Sequence, residues 1–255
     1  MADSVLITGA SSGLGLDMSV RLAEKGFRVY ATMKDPQRRG ALDAEAERRN
    51  VDVTVLPLDV RDERSIQEAV DYVVADSGGI YGLVNNAGIS MRGFFEDVSR
   101  EEIQEVFQTN VLGVMAVTRA ALPHMRAAGR GRVIINSSIG GRIGSLGTST
   151  YCATKFAVEG FGESLSQEVS PFGVYVSLIE PGLIHTPIFT YNRRTAEGAH
   201  NPSSPYYQWF LREEQLVDRV ADSSGIKEEH VTRAVHKALT AKRPRLRYVV
   251  GRRAR

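Results

Sequence analysis

The sequence predicts an α/β fold: a single doubly wound parallel sheet of about seven strands, with helices on both faces. Three observations predict it. Short apolar runs rich in β-branched residues alternate with longer stretches of helical period, which is the pattern of βαβ units. Several runs (VLIT, RVIIN, VYVSLIE) are apolar throughout instead of alternating, as strands covered on both faces are. The chain has 255 residues, 42% hydrophobic and 24% charged, which suits one α/β domain over 1–255 with a sizeable core.

Each strand is read from its own run: 5–8 (VLIT), 27–33 (FRVYATM), 53–57 (VTVLP), 82–85 (GLVN), 132–136 (RVIIN), 174–179 (VYVSLI) and 247–250 (RYVV). Helical spacing predicts helices over 13–25, 41–48, 64–75, 100–127, 149–170 and 227–241. One insertion, 186–222, breaks the alternation. It is polar, carries Pro187, Pro202 and Pro205, and is studded with Phe189, Tyr191, Tyr206, Tyr207, Trp209 and Phe210. Its place late in the chain predicts a lid over the carboxyl ends of the strands, where open α/β sheets bind ligands. Tyr206, Trp209 and Phe210 at helical spacing also fit the packing of a lid helix.

Composition excludes several classes. Cys152 is the only cysteine, so no intrachain disulfide forms and a reducing, cytoplasmic setting is expected. The first strand starts too early for a signal peptide before it, and the weakly polar stretch 111–125 is too short to span a bilayer. The five histidines show no metal-ligand spacing, so no metal is expected. Net charge is +2, but seven of the last fourteen residues are Lys or Arg. With only Tyr248 among them, this tail reads as a solvated terminus and not as a nucleic-acid binder.

The first strand runs straight into Gly9-Ala10-Ser11-Ser12-Gly13-Leu14-Gly15 and then a helix. Glycines allow a tight turn and close backbone approach, and the helix N-terminus offers free N–H groups to a pyrophosphate. Tyr151 and Lys155, four apart, share one face near the start of the helix 149–170. Ser138 follows the strand 132–136, and Asn85-Asn86-Ala87-Gly88 ends another strand at the same sheet edge. Asn110 lies mid-helix, where propensity disfavours it.

Together with Thr8 and Pro181-Gly182, these residues resemble the motif set of the short-chain dehydrogenase/reductase family, in order, over essentially the whole chain. The stretch 151–186 is similar to the branch of hydroxysteroid and retinol dehydrogenases. The resemblance implies a Rossmann-type fold and hydride transfer between a nicotinamide and a carbonyl or alcohol carbon. It implies Tyr151 as acid/base, Lys155 lowering the phenol's pKa, Ser138 orienting the substrate oxygen and Asn110 holding a relay water. The cofactor would be held by the glycine turn, by Asp59 and Val60 at the adenine, by Asn86, Ala87 and Gly88, by Tyr151 and Lys155, by Pro181 and Gly182, and by Thr186 at the carboxamide. Asp59 can equally cap the helix that follows it.

Met33 stands where relatives using NAD usually carry Asp, and Lys34 follows it. A lysine there can pair with a 2′-phosphate, so NADP is the expected cofactor, with NAD the alternative through Asp35. The aromatic insertion and the branch resemblance imply a lipophilic substrate. Family resemblance also implies a homodimer or homotetramer built on the helices 100–127 and 149–170. A 3-oxoacyl thioester reductase and a non-enzymatic nicotinamide sensor are the rival readings, and the intact Ser138, Tyr151 and Lys155 argue against the sensor.

Overall fold

Strand β1 (Ser4–Ile7) is buried along its whole length and pairs in parallel with β2 (Arg28–Met33) and with β4 (Gly82–Asn85). With β3 (Val53–Pro57), β5 (Gly131–Asn136), β6 (Val174–Pro181) and β7 (Arg247–Val250), the strands of the computed structural model form one parallel sheet of seven. Their order is β3-β2-β1-β4-β5-β6-β7. The structure describes residues 2–182, 193–222 and 226–251. Strand order reverses between β1 and β4, so the loops leaving these two strands diverge and open a crevice at their carboxyl ends.

The helices are α1 (Gly13–Glu24), α2 (Gly40–Arg49), α3 (Glu63–Ser77), α4 (Arg100–Phe107), α5 (Gly113–Ala127), α6 (Ser149–Val169), α7 (Tyr207–Asp222) and α8 (Glu228–Thr240). Alternate residues of each strand face opposite sides, so each central strand feeds two cores. Leu6, Leu83, Val133, Ile135 and Leu178 pack against α3, α5 and α6 through Val70, Val117, Met125, Val158 and Leu165. Val5, Ile7, Val84, Ile134 and Ile179 pack on α1 and α8 through Met18, Leu22, Val231, Val235 and Leu239. Both faces being covered is why these runs read as continuously apolar. At about 1.5–3 kcal/mol per buried Leu, Ile or Val, the two layers dominate the stability of the sheet.

Predicted strands agree with the structure to within two residues at each end. Three details differ from expectation. The helix expected over 100–127 contains a π turn at Gln108–Leu112, with Asn110 inside it. The cap of α3 is Asp62, whose carboxylate accepts from Arg64 N at 2.9 Å, and not Asp59. Arg247, counted with the solvated basic tail, lies in β7 and pairs with Glu159 at 3.0 Å, Glu163 at 2.6 Å and the buried Glu180 at 3.3 Å. In the insertion, Phe210 is 2% exposed against Met91, Val98, Val106, Ala196 and Ala199. Trp209 beside it is 61% exposed, so one of the two supplies core and the other surface. Phe189 and Tyr191 lie outside the described residues.

Candidate active site

A cleft of about 520 Å³ lies over the carboxyl ends of the strands, within the usual size of a small-molecule site. One wall is the turn after β1, formed by Gly9, Ser11, Ser12, Gly13, Leu14 and Gly15. Gly9 has φ +70°, and a Cβ there would stand 2.7 Å from Ala87 Cα. A Cβ on Gly15 would stand 2.2 Å from Gly9 O. Both positions therefore require bare backbone, which draws the turn onto the β4 loop and leaves the first N–H groups of α1 facing the cleft.

The opposite wall is Asn86, Ala87 and Gly88 after β4. Asn86 staples the two walls together: its Nδ2 donates to Thr8 O at 2.9 Å and Gly9 O at 3.0 Å, and its N donates to Thr8 Oγ1 at 3.0 Å. Asn136 Nδ2 donates to Asn86 Oδ1 at 2.8 Å, and Lys155 Nζ donates to Asn136 O at 2.7 Å. One hydrogen-bonded chain thus runs from the glycine turn to the floor of the cleft.

Ser138, Tyr151 and Lys155 meet on that floor with Pro181 and Gly182. Ser138 Oγ accepts from Gly140 N at 3.0 Å, which leaves its own proton free to donate. A Cβ on Gly140 would lie 3.4 Å from Ser138 Oγ and 3.6 Å from Tyr151 Cε1, so the two hydroxyl-bearing side chains flank the same glycine. Desolvation pushes the Tyr151 phenol up to about 12, against a hydrogen bond from Ser138 that draws it down. Lys155 Nζ lies 5.7 Å from the Tyr151 ring centroid. Burial lowers this ammonium to about 8, opposed by the Glu159 carboxylate one turn along the helix. In the free protein the Lys155 ammonium donates to the Asn136 carbonyl, and desolvation is the largest influence on the Tyr151 phenol.

Asn110 is not on the cleft wall but behind it. Its Oδ1 accepts from Ile89 N at 2.8 Å, and its Nδ2 donates to Ile89 O at 2.8 Å and Thr154 Oγ1 at 3.1 Å. The side chain braces the β4 loop against α6, and the neighbouring Thr109 is the residue that reaches the cleft.

At the far end lie Lys34, Asp59 and Val60. Burial alone raises Asp59, but hydrogen bonds from Arg61 and Lys34 outweigh it and hold the carboxyl at about 2. Asp35, the rival anchor for a ribose hydroxyl, accepts from Gln37 N at 3.0 Å and caps the short turn Pro36–Arg39. That turn delivers Arg38 to the cleft, and Arg38 has no ion-pair partner among the described residues. A dinucleotide fits this donor set: bare backbone at two glycines, a helix N-terminus for an anion, and two cations at the far end.

Sequence reasoning missed Arg38, Asn136, Ser137 and Arg194, all of which line the cleft. Only Arg38 left a signal, as a second cation four residues after Lys34. Thr186 and His185 lie outside the described residues. Among the described residues no group of His, Cys, Asp and Glu could hold a metal, and no helix is long and apolar enough to cross a membrane.

Residues 3–197 match the family profile described as short chain dehydrogenase. A 3-ketodihydrosphingosine reductase of Bacteroides thetaiotaomicron is 36% identical over 97% of this chain and 87% of that protein. The 17-beta-hydroxysteroid dehydrogenase type 1 of Homo sapiens is 37% identical over 96% of this chain and 76% of its own length. Among solved structures, a short-chain dehydrogenase from Streptomyces avermitilis superposes with a TM-score of 0.85 at 32% identity, covering 100% of this chain and 89% of that one.

Proposed function

The chain belongs to the short-chain dehydrogenase family of nicotinamide-dependent oxidoreductases, and from that premise we propose that it interconverts a lipophilic ketone or aldehyde and its alcohol using NADP(H). The observation that carries the reading is the meeting of Ser138, Tyr151 and Lys155 on the floor of a cleft whose wall is a helix N-terminus.

The nicotinamide supplies or accepts the hydride when bound. The chain's own work is done on the oxygen. Ser138, with one of its two lone pairs engaged by Gly140 N, donates its proton to the substrate carbonyl and fixes it beside Tyr151. Tyr151, held as a neutral phenol, gives its proton to the developing alkoxide in reduction and takes it back in oxidation. Lys155, charged below about 8, stabilises the phenolate that reduction leaves. Asn86 and Asn136 keep the turn and the lysine in register. Asn110 acts at one remove, by holding the Ile89 loop.

Support for NADP(H) comes from Lys34 and Arg38 at the adenosine end and from the diversion of Asp35 to a cap. Each charge-assisted contact of about 1.5–3 kcal/mol favours the 2′-phosphate by ten- to over a hundredfold. Support for a lipophilic substrate comes from Ile143 and Leu146, 64% and 62% exposed, in the loop between Ser138 and Tyr151. The similar proteins point the same way, being named for a ketosphingoid and a hydroxysteroid.

Titration with NADPH and NADH, followed by nicotinamide fluorescence in the wild type, Lys34→Ala and Arg38→Ala, tests the cofactor reading. NADPH binds more tightly to the wild type, and either substitution weakens NADPH selectively. A preference for NADH that neither substitution changes would overturn it.

A further inference from the structure

We infer that Arg194 is a ligand for a cofactor phosphate, stored on Glu105 in the free enzyme. The inference rests on the nicotinamide reading above. Five charges of alternating sign cross the mouth of the cleft. Lys34 Nζ is 3.1 Å from Asp59, Asp59 is 3.2 Å from Arg61, Arg61 is 3.6 Å from Glu105, and Glu105 is 2.7 Å from Arg194. All five line the cleft, yet they come from the loops after β2 and β3, from α4 and from the segment leading to α7.

The main chain at Arg194 is fixed. Its carbonyl accepts from Arg92 N at 3.0 Å, and Ala196 N donates to Arg92 O at 2.7 Å. The guanidinium, by contrast, is held among the described residues by an exposed pair: the Arg194 side chain is 42% exposed and that of Glu105 36%. Exposed pairs of this kind contribute little and exchange readily. A phosphate offers more charge and a set of oxygens matched to the guanidinium fork, so it outcompetes a single surface carboxylate.

The arrangement also provides for what remains. Arg61 is tied to both Asp59 oxygens, at 3.3 and 3.2 Å, and its N donates to Asp59 at 3.0 Å. It already faces Glu105 on its other side. When Lys34 and Arg194 turn to phosphate, Arg61 stays behind as counter-ion to both released carboxylates. That is the physical reason for assigning the mobile role to Arg194 and the fixed role to Arg61.

The phosphate can be the diphosphate bridge or the 2′-phosphate, and binding assays separate the two. NADPH and NADH are titrated by nicotinamide fluorescence into the wild type, Arg194→Ala and Glu105→Gln, with the melting temperature of each free protein as a control for folding. Arg194→Ala weakens binding by about tenfold or more. Equal loss for both nucleotides assigns the diphosphate, loss confined to NADPH assigns the 2′-phosphate, and either upholds the proposal. Glu105→Gln leaves affinity unchanged or tightens it, because the competing carboxylate is gone. Unchanged NADPH affinity in Arg194→Ala overturns the proposal. So does Glu105→Gln weakening binding as much as Arg194→Ala, since Glu105 would then be orienting the arginine and not competing for it. A wild type that binds neither nucleotide removes the cofactor reading, and this inference with it.

Discussion

Lys155 is held in conditions that disfavour its charge. Its residue is 9% exposed, with its ammonium on a carbonyl and its pKa lowered from 10.5 to about 8. The folded state thus binds this proton less tightly than the unfolded chain does. Below about pH 8 the full penalty opposes folding, and it fades as pH rises from about 8 to 10.5. The gap corresponds to roughly 3 kcal/mol, at about 1.36 kcal/mol per pH unit. Lys155→Met, which leaves Asn136 O without its donor at about 1–3 kcal/mol, comes out on the order of 1 kcal/mol more stable at pH 6.5. Denaturant unfolding at pH 6.5 and pH 9.5 checks this: the gain shrinks at the higher pH, and an equal effect at both would remove Lys155 as its source. Tyr151→Phe lowers kcat by about 10²–10⁴-fold while NADPH affinity holds, as steady-state kinetics and titration will show. At this scale the sequence was legible where residue type and spacing coincide. Tyr151 and Lys155 share a helix face, and Ser138 ends a strand at the same edge. Asn136 and Arg194 were not legible, because the side-chain contacts that place them are with Asn86 and Glu105, each at least 50 positions away.

The π turn at Gln108–Leu112 is the element whose departure from regularity matters most. A helical period of apolar residues reads the same whether or not one turn is widened, so the pattern over 100–127 could not reveal it. The single hint was an Asn in a helix interior, a residue that competes with backbone hydrogen bonds. In the structure that amide serves both backbone groups of Ile89 and joins α6 through Thr154. Asn110→Ala therefore leaves Ile89 N and O unsatisfied and costs about 2–4 kcal/mol of stability. Activity falls more steeply than NADPH affinity, because the brace reaches α6 three residues beyond Tyr151. A drop in melting temperature with kcat intact would contradict that link. The strands, by contrast, were legible to within two residues, since burial on both faces leaves a largely apolar run for the central ones. The helix α7 was legible as a helical period, but which aromatic packs inward depended on the cluster under Phe210.

On the scale of the whole molecule, the parallel sheet of about seven strands followed from alternating strands and helices, and the position of the cleft follows from the strand order the structure shows. Association of copies did not. The homo-oligomer expected from family resemblance remains a proposal, supported by an apolar groove of about 480 Å³ between α5 and α6 that includes Met115, Leu122, Phe161, Leu165 and Phe172. Phe161→Glu places a charge in that groove. Sedimentation velocity is expected to show a smaller species with the fold intact, and an unchanged coefficient would rule the groove out as the contact.

The strand pairing at the centre of the sheet also bears on how the protein comes to exist. Val5 stands opposite Gly82, so β1 cannot find its β4 neighbour until a loop of more than seventy residues has closed. Parallel pairs have no hairpin route, and contacts this distant in sequence slow the passage from collapsed chain to native state. Helices such as α1 and α3 can form early and locally, but Asn86 meets Gly9 only once that pairing is made. The protein therefore gains its shape in stages, and competence to bind belongs to the last of them.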